Sequence, residues 1–296
     1  MSKYFNFAIV ASFVGLWLDS FLSNEQQIYI GFLLILSFGI LHGANDLALI
    51  KDVKHQKNSA TLYKVLLYYI IVVLSGAILF YLIPWLALSL FVLVSGYHFG
   101  EQQWNEKLQQ ENFVFTFVYQ ILYGLIILFL LFTFHADEVQ KIIFAITTKV
   151  IPIIYFPYLL KIIVTLFIMV SLYFYLKIIT FKNFIFKELF FLIVFTIIFK
   201  VSSLIWGFAL YFILWHSIPS IMDQLKFLFG KADIVNFKLY FKSAFAFWII
   251  SLIGIAVLYF LFKDQKIFNA LFFSFLASIT FPHVLVIQKM FEKERM

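Results

Sequence analysis

Long apolar runs separated by short charged interruptions dominate the chain, and nowhere does a two-residue alternation persist. A helix needs about 20 apolar residues to cross the hydrocarbon core of a bilayer. The sequence offers such runs at 5–22, 27–50, 63–83, 85–104, 113–134, 155–178, 185–200, 202–221, 240–262 and 267–289. The run at 185–200 is short, and 139–154 reads as an interfacial or re-entrant piece. A transmembrane barrel would show alternating segments of roughly ten residues, half the length seen here. The expected fold is all-α: a polytopic transmembrane helical bundle of about 8–10 helices, forming one integral-membrane domain over 1–296.

The polar residues that interrupt this pattern are not scattered. Four apolar runs close in the same way, at LHGANDLALI (Leu41–Ile50), SGYHFGEQQW (Ser95–Trp104), LWHSIPSIMDQ (Leu214–Gln224) and TFPHVLVIQK (Thr280–Lys289). Each holds one histidine shortly before the charges begin. His42 lies nine residues before Lys51, His98 nine before Lys107, His216 ten before Lys226 and His283 six before Lys289. At about 1.5 Å per residue the four share a slab roughly 9–15 Å along the helix from the charged loops. Ionisable groups at that depth are expensive and by default point to function. A lone intramembrane histidine is ordinarily a hydrogen-bonded packing residue, but four at one depth favour a common site. The other two differ: His55 sits in a lysine-rich loop and His135 ends the fifth run at the opposite face, so both are expected to be solvated.

Composition turns the pattern into a class. The 296 residues are 64% hydrophobic and 12% charged, against roughly 25% charged in soluble domains. The net charge of +7 is spread over short loops. Lys51, Lys54, Lys57 and Lys64 flank the second and third runs, Lys177, Lys182 and Lys187 the sixth and seventh, and Lys226, Lys231, Lys238 and Lys242 the eighth and ninth. Loops of the other set, at Asp19–Glu25 and Ile83–Ala87, lack lysine. The positive-inside rule then puts both termini in the cytoplasm of a multi-pass cell-membrane protein, and explains the charge without nucleic-acid binding. Lys3 precedes an apolar run that no small-residue cleavage site follows, which reads as a retained helix. The absence of cysteine excludes disulfides, thiolate metal sites and covalent c-type haem. The 42 phenylalanines suit a lipid-facing surface.

The chemistry of the four histidines follows from their ligand class. Imidazole binds iron, copper and zinc, and a cysteine-free set of neutral histidines suits Fe(II). Asp46, four residues after His42, and Glu101, three after His98, are placed to take the second ring N–H of a ligating histidine; the plainer reading makes them helix-end charges. Gly96 and Gly100 allow close helix approach. Pro219 has no N–H for the Trp215 carbonyl, nor Pro282 for that of Ser278, so the helices should break beside His216 and His283. There is no phosphate loop, H-E-x-x-H or serine-hydrolase elbow, and no clustered histidine box of the membrane desaturase kind.

His42-Gly43-x-x-Asp46, Ser95-x-x-His98-Phe99-Gly100, Trp215-His216 and Pro282-His283, in this order and at these helix ends, resemble the Brp/Blh family of integral-membrane β-carotene 15,15′-dioxygenases. The resemblance covers essentially the whole chain. It implies an Fe(2+) enzyme that splits the central double bond of β-carotene with O₂ into two retinals, which serve a microbial rhodopsin. It also implies that His42, His98 and His216 are catalytic iron ligands. A further family histidine is expected four residues after His216, where this chain has Ser220; the depth argument offers His283 as the remaining ligand. Asp46, Glu101 and Trp215 are candidates to border the cofactor, with Phe99 and Trp104 as further lining. Two rivals stand beside the carotenoid oxygenase. One is a non-enzymatic membrane carrier of haem or carotenoid; the other is a transporter relaying protons through Asp46, Glu101 and histidines.

Overall fold

The computed structural model describes residues 2–53, 59–108, 111–261 and 265–294, and helices are the only regular elements among them. In order they are α1 (Ser2–Asp19), α2 (Asn24–Leu34), α3 (Ile40–Gly43), α4 (Asp46–Val53), α5 (Ser59–Leu82), α6 (Pro84–Trp104) and α7 (Phe113–Phe134). There follow α8 (Ala136–Thr147), α9 (Tyr155–Lys177), α10 (Ile179–Val201), α11 (Leu204–Tyr211), α12 (Ile218–Phe229), α13 (Ile234–Leu261) and α14 (Gln265–Glu294). Two π-helical turns, Ile35–Gly39 and Phe212–Ser217, join α2 to α3 and α11 to α12. Every apolar run of the sequence is helical, and α8 is a short helix where an interfacial piece was expected.

The chain is a polytopic membrane protein. Among the described residues, six helices are long and apolar enough to cross a bilayer: Asn24–Ile50, Phe113–Phe134, Tyr155–Lys177, Leu204–Phe229, Ile234–Val257 and Ser274–Lys293. Large apolar side chains such as Trp17, Tyr68, Leu172, Phe186 and Ile250 are exposed. Hydrocarbon, not water, suits such a surface.

The residues group into two compact units, each drawn from three separate stretches. The first comprises Met1–Leu34, Val92–Lys141 and Val150–His216. Within it α7 packs on α9 and α10, and α11 on α1, α2 and α10. Its core is aromatic. Trp104 stacks on Phe181 with ring centroids 5.4 Å apart, and Tyr119 on Phe167 at 5.0 Å; Phe174, Phe191 and Phe199 are fully enclosed as well. The phenylalanines are therefore core as well as lipid-facing surface. One carboxylate is buried among them: Glu188 accepts from Lys107 Nζ and Gln103 Nε2, both at 2.7 Å, and from the Tyr123 hydroxyl at 3.0 Å. A buried charge is tolerated only when paired and hydrogen-bonded, and these three donors meet that condition while tying α6 to α7 and α10.

Helices α6 and α7 touch backbone to backbone. A Cβ on Gly100 would fall on the Gln120 carbonyl, and one on Gly124 on the Gly96 carbonyl. The glycine spacing expected to permit close approach does so here, on the turns that flank His98.

The second unit comprises Ile35–Phe91, Ile142–Lys149 and Ser217–Met296. There α14 packs on α5, α4 and α13, and α12 on α3, α4 and α13. Leu41, Ile221, Leu225, Tyr240 and Ala244 form one buried cluster, and Leu49, Val286, Ile287, Met290 and Phe291 another. The proline effects differ. Pro219 follows a π-helical turn, the form its expected break takes. Pro282 lies inside the continuous helix α14, with Gly76 of α5 close to Ser278, one turn before it, and to Phe281, directly before it.

Two glycine substitutions separate packing from propensity. Gly100→Ala forces α6 and α7 apart and should cost at least the about 1–3 kcal/mol of core overpacking. Nothing lies within 4 Å of a Cβ on Gly254, so Gly254→Ala should gain up to about 1 kcal/mol of helix propensity. Thermal unfolding of the detergent-solubilised chain measures both, and equal midpoints would refute the close approach.

Candidate metal centre

Two of the four histidines, His42 and His216, lie where helices are interrupted, whereas His98 and His283 lie inside the continuous helices α6 and α14. Residues 35–45 pass from the π-helical turn Ile35–Gly39 through α3 to a turn at Ala44–Asn45 before α4 begins. Such interruptions free backbone groups that hydrocarbon cannot satisfy, so buried side chains must do so. Trp248 Nε1 donates to the Ser37 carbonyl at 2.8 Å. Gln224 Nε2 donates to the His42 carbonyl at 2.8 Å. The Tyr240 hydroxyl lies 2.8 Å from Gln224 Oε1 and 3.2 Å from that same carbonyl, its single proton serving one at a time. Asn45, inside the turn, donates to the Tyr240 carbonyl at 3.0 Å and accepts from Ser243 Oγ at 2.6 Å. Ser220 Oγ accepts from Gln224 Nε2 at 3.2 Å, which ties it into the same group.

In this second unit the rings of His42 and His283 meet edge to face, with centroids 4.8 Å apart and planes at 83°. Asp46, on the first turn of α4, has one oxygen 2.8 Å from His283 Nδ1. Its other oxygen accepts from the Tyr69 hydroxyl at 3.0 Å. A carboxylate accepts and does not donate, so the proton of this bond sits on Nδ1.

The first unit holds a similar pair. His98 on α6 and His216, in the π-helical turn Phe212–Ser217, lie 4.7 Å apart with planes at 80°. Phe212 stacks on His216 at 5.3 Å, and Phe99 meets it edge-on at 4.7 Å. Gln102 Nε2 donates to the His216 carbonyl at 2.9 Å. Glu101 accepts from the Tyr97 hydroxyl at 2.7 Å. The Trp215 indole donates to Ser12 Oγ and packs among Phe5, Phe191 and Phe195. Trp104 belongs to the aromatic stack with Tyr119 and Phe181.

All four histidines are buried, with between 1 and 5% of their surface exposed. His135, expected to be solvated, is half-buried instead: it caps α7, and its Nε2 donates to the Phe199 carbonyl at 2.8 Å. His55 lies outside the described residues. Sequence reading missed Tyr69, Tyr240 and the carbonyl-holding roles of Gln102 and Gln224. Gln224 closes one of the histidine stretches, so position offered a hint. Tyr69 stands within an unbroken apolar run as one of 16 tyrosines, and nothing distinguishes it before the fold is seen.

The chemistry of these donors fits a divalent first-row metal. Within the second unit the buried imidazoles of His42 and His283 could serve as ligands, and the carboxylate behind His283 is the usual outer partner of a ligating histidine.

No curated protein and no solved structure matches the chain. Residues 33–291 match the family described as Beta-carotene 15,15'-dioxygenase. That span holds all four buried histidines and most of the sequence, and the chain belongs to the beta-carotene 15,15'-dioxygenase family.

Proposed function

We propose that this protein is an iron-dependent membrane enzyme that cleaves the central 15,15′ double bond of β-carotene. One O₂ per double bond balances the reaction, each oxygen atom ending in one of two retinal aldehydes. The observation that carries the reading is that the four membrane-depth histidines form two buried pairs, one in each unit, in a chain of this family. His42, His98, His216 and His283 would together hold the metal. Iron, when bound, supplies the one-electron chemistry that lets O₂ react with a conjugated alkene.

The residues of the chain do the rest. Asp46 holds the His283 ring with its lone pair on Nε2. Phe99 and Phe212 beside His216 offer aromatic edges and faces to a stiff polyene, and their bulk excludes water. An apolar substrate reaches an intramembrane site from the lipid phase, so orientation of the polyene is the main task left to the protein. Ser220 offers no imidazole, which leaves His283 as the fourth nitrogen donor. Both termini face the cytoplasm in the orientation the lysines favour.

The test is expression in β-carotene-accumulating cells, with pigment extraction and metal analysis of the purified chain. The expected outcome is retinal as product and about one iron per chain, since one mononuclear site uses all four imidazoles. His42→Ala, His98→Ala and His216→Ala should each cost more than the about 10–100-fold in metal affinity that loss of a supporting residue costs. His55→Ala and His135→Ala should retain iron. A Soret band in place of non-haem iron would overturn the reading in favour of a haem carrier.

Ser220 and His283 give a second test. His283→Ala should weaken iron binding and collapse retinal formation. Ser220→His puts an imidazole one turn beyond His216, on the same helical face, and should partly restore iron to the His283→Ala chain while changing little alone. Near-normal iron and retinal in His283→Ala would remove His283 from the ligand set.

A further inference from the structure

Tyr69 of α5 reaches the histidine pair of the second unit through Asp46, and the sequence gives no sign of it. Its hydroxyl donates to Asp46 Oδ2 at 3.0 Å, while Asp46 Oδ1 lies 2.8 Å from His283 Nδ1. Three helices meet in this chain of bonds: α5 supplies the phenol, α4 the carboxylate and α14 the imidazole. Asp46 is the first residue of α4, directly after the turn at Ala44–Asn45, where its side chain would otherwise choose among rotamers. With both oxygens occupied from different helices, the carboxylate plane is fixed. A fixed carboxylate in turn fixes both the tautomer and the rotation of the His283 ring.

We infer that Tyr69 is a positioning residue for His283, acting through Asp46 to hold the imidazole as its Nδ1–H tautomer with Nε2 presented as a donor. The inference rests on the metal reading proposed above, yet its first consequence belongs to the metal-free protein. There, the phenol and carboxylate select the tautomer. When an ion is present, the same arrangement raises the basicity of Nε2 and spares the site the cost of orienting a free ring.

The experiment uses the full chain in detergent, with ring-¹⁵N histidine, and four forms: wild type, Tyr69→Phe, Asp46→Asn and, to assign the ring signal, His283→Ala. Tyr69→Phe keeps the ring and removes only the hydroxyl, so packing is preserved. In the metal-free wild type, the signal lost on His283→Ala should show a protonated Nδ1 and an unprotonated Nε2. Asp46→Asn should abolish that preference, and Tyr69→Phe should turn a single tautomer into a mixture. Titration with Co(II), followed by its visible d–d bands, should show affinity lower by about tenfold in Tyr69→Phe and nearer a hundredfold in Asp46→Asn, the range for outer partners of ligating histidines. A His283 protonated on Nε2 in the wild type would overturn the inference. So would a Tyr69→Phe chain matching wild type in both ring signals and Co(II) bands. If wild type binds no Co(II), the metal reading fails, and the ring-nitrogen signals alone decide the role of Tyr69.

Discussion

Backbone polar groups inside a bilayer have no water to fall back on, and this constraint governs the fold around every interruption. A π-helical turn or a two-residue break costs little in a soluble protein, where solvent takes the released carbonyl. Here the Ser37 and His42 carbonyls are taken by Trp248 and Gln224, and the His216 carbonyl by Gln102. Each donor is a buried or half-buried side chain on another helix. The interruptions are therefore built features: several residues elsewhere in the chain are committed to keeping them open. Single-turn π segments are frequent at functional sites, and both of those seen here lie at or beside a buried histidine.

The same constraint explains why the buried polar residues come in groups. An isolated carboxylate at this depth would be very costly. Glu188 accumulates an ammonium, an amide and a phenol, whereas Asp46 accumulates an imidazole and a phenol. The two groups differ in their partners. Around Glu188 they are a lysine, a glutamine and a tyrosine, which brace α6. Around Asp46 one partner is an imidazole, a side chain that also serves as a metal ligand. Burial and hydrogen bonding are alike in the two cases; the chemistry of the partner sets them apart.

Much of this was legible in the sequence because lipid makes hydropathy decisive. The apolar runs are helical, two of them interrupted, and the depth argument picked out four histidines that are all buried and fall into two pairs. The proline after the π-helical turn and the glycines of α6 could be read for the same reason: their effects are local to the backbone. What could not be read is what depends on three-dimensional neighbours. The pairing of Asp46 with His283, 237 positions away, required knowing that α4 and α14 pack together. His135 looked solvated because it ends an apolar helix, yet the Phe199 carbonyl is close enough to accept from it. Tyr69 was invisible because a tyrosine in an apolar run packs like a phenylalanine unless its hydroxyl has a partner.

Position 220 brings these threads together. The family resemblance places a histidine there, and a serine in its stead removes a nitrogen donor one turn beyond His216. Its hydroxyl joins the Gln224 group that holds the His42 carbonyl, so the residue is committed to the backbone of another histidine's helix. His283 meanwhile has what a structural histidine in a lipid-embedded helix would not need: a carboxylate fixed by a second donor, and a second imidazole edge-on at 4.8 Å. A histidine that only satisfied a proline-freed carbonyl would turn its N–H toward the backbone of its own helix. His283 turns Nδ1 to Asp46 instead. That orientation is the physical support for the proposal that it is a donor, and it follows from the bonds around the ring without reference to the missing family histidine.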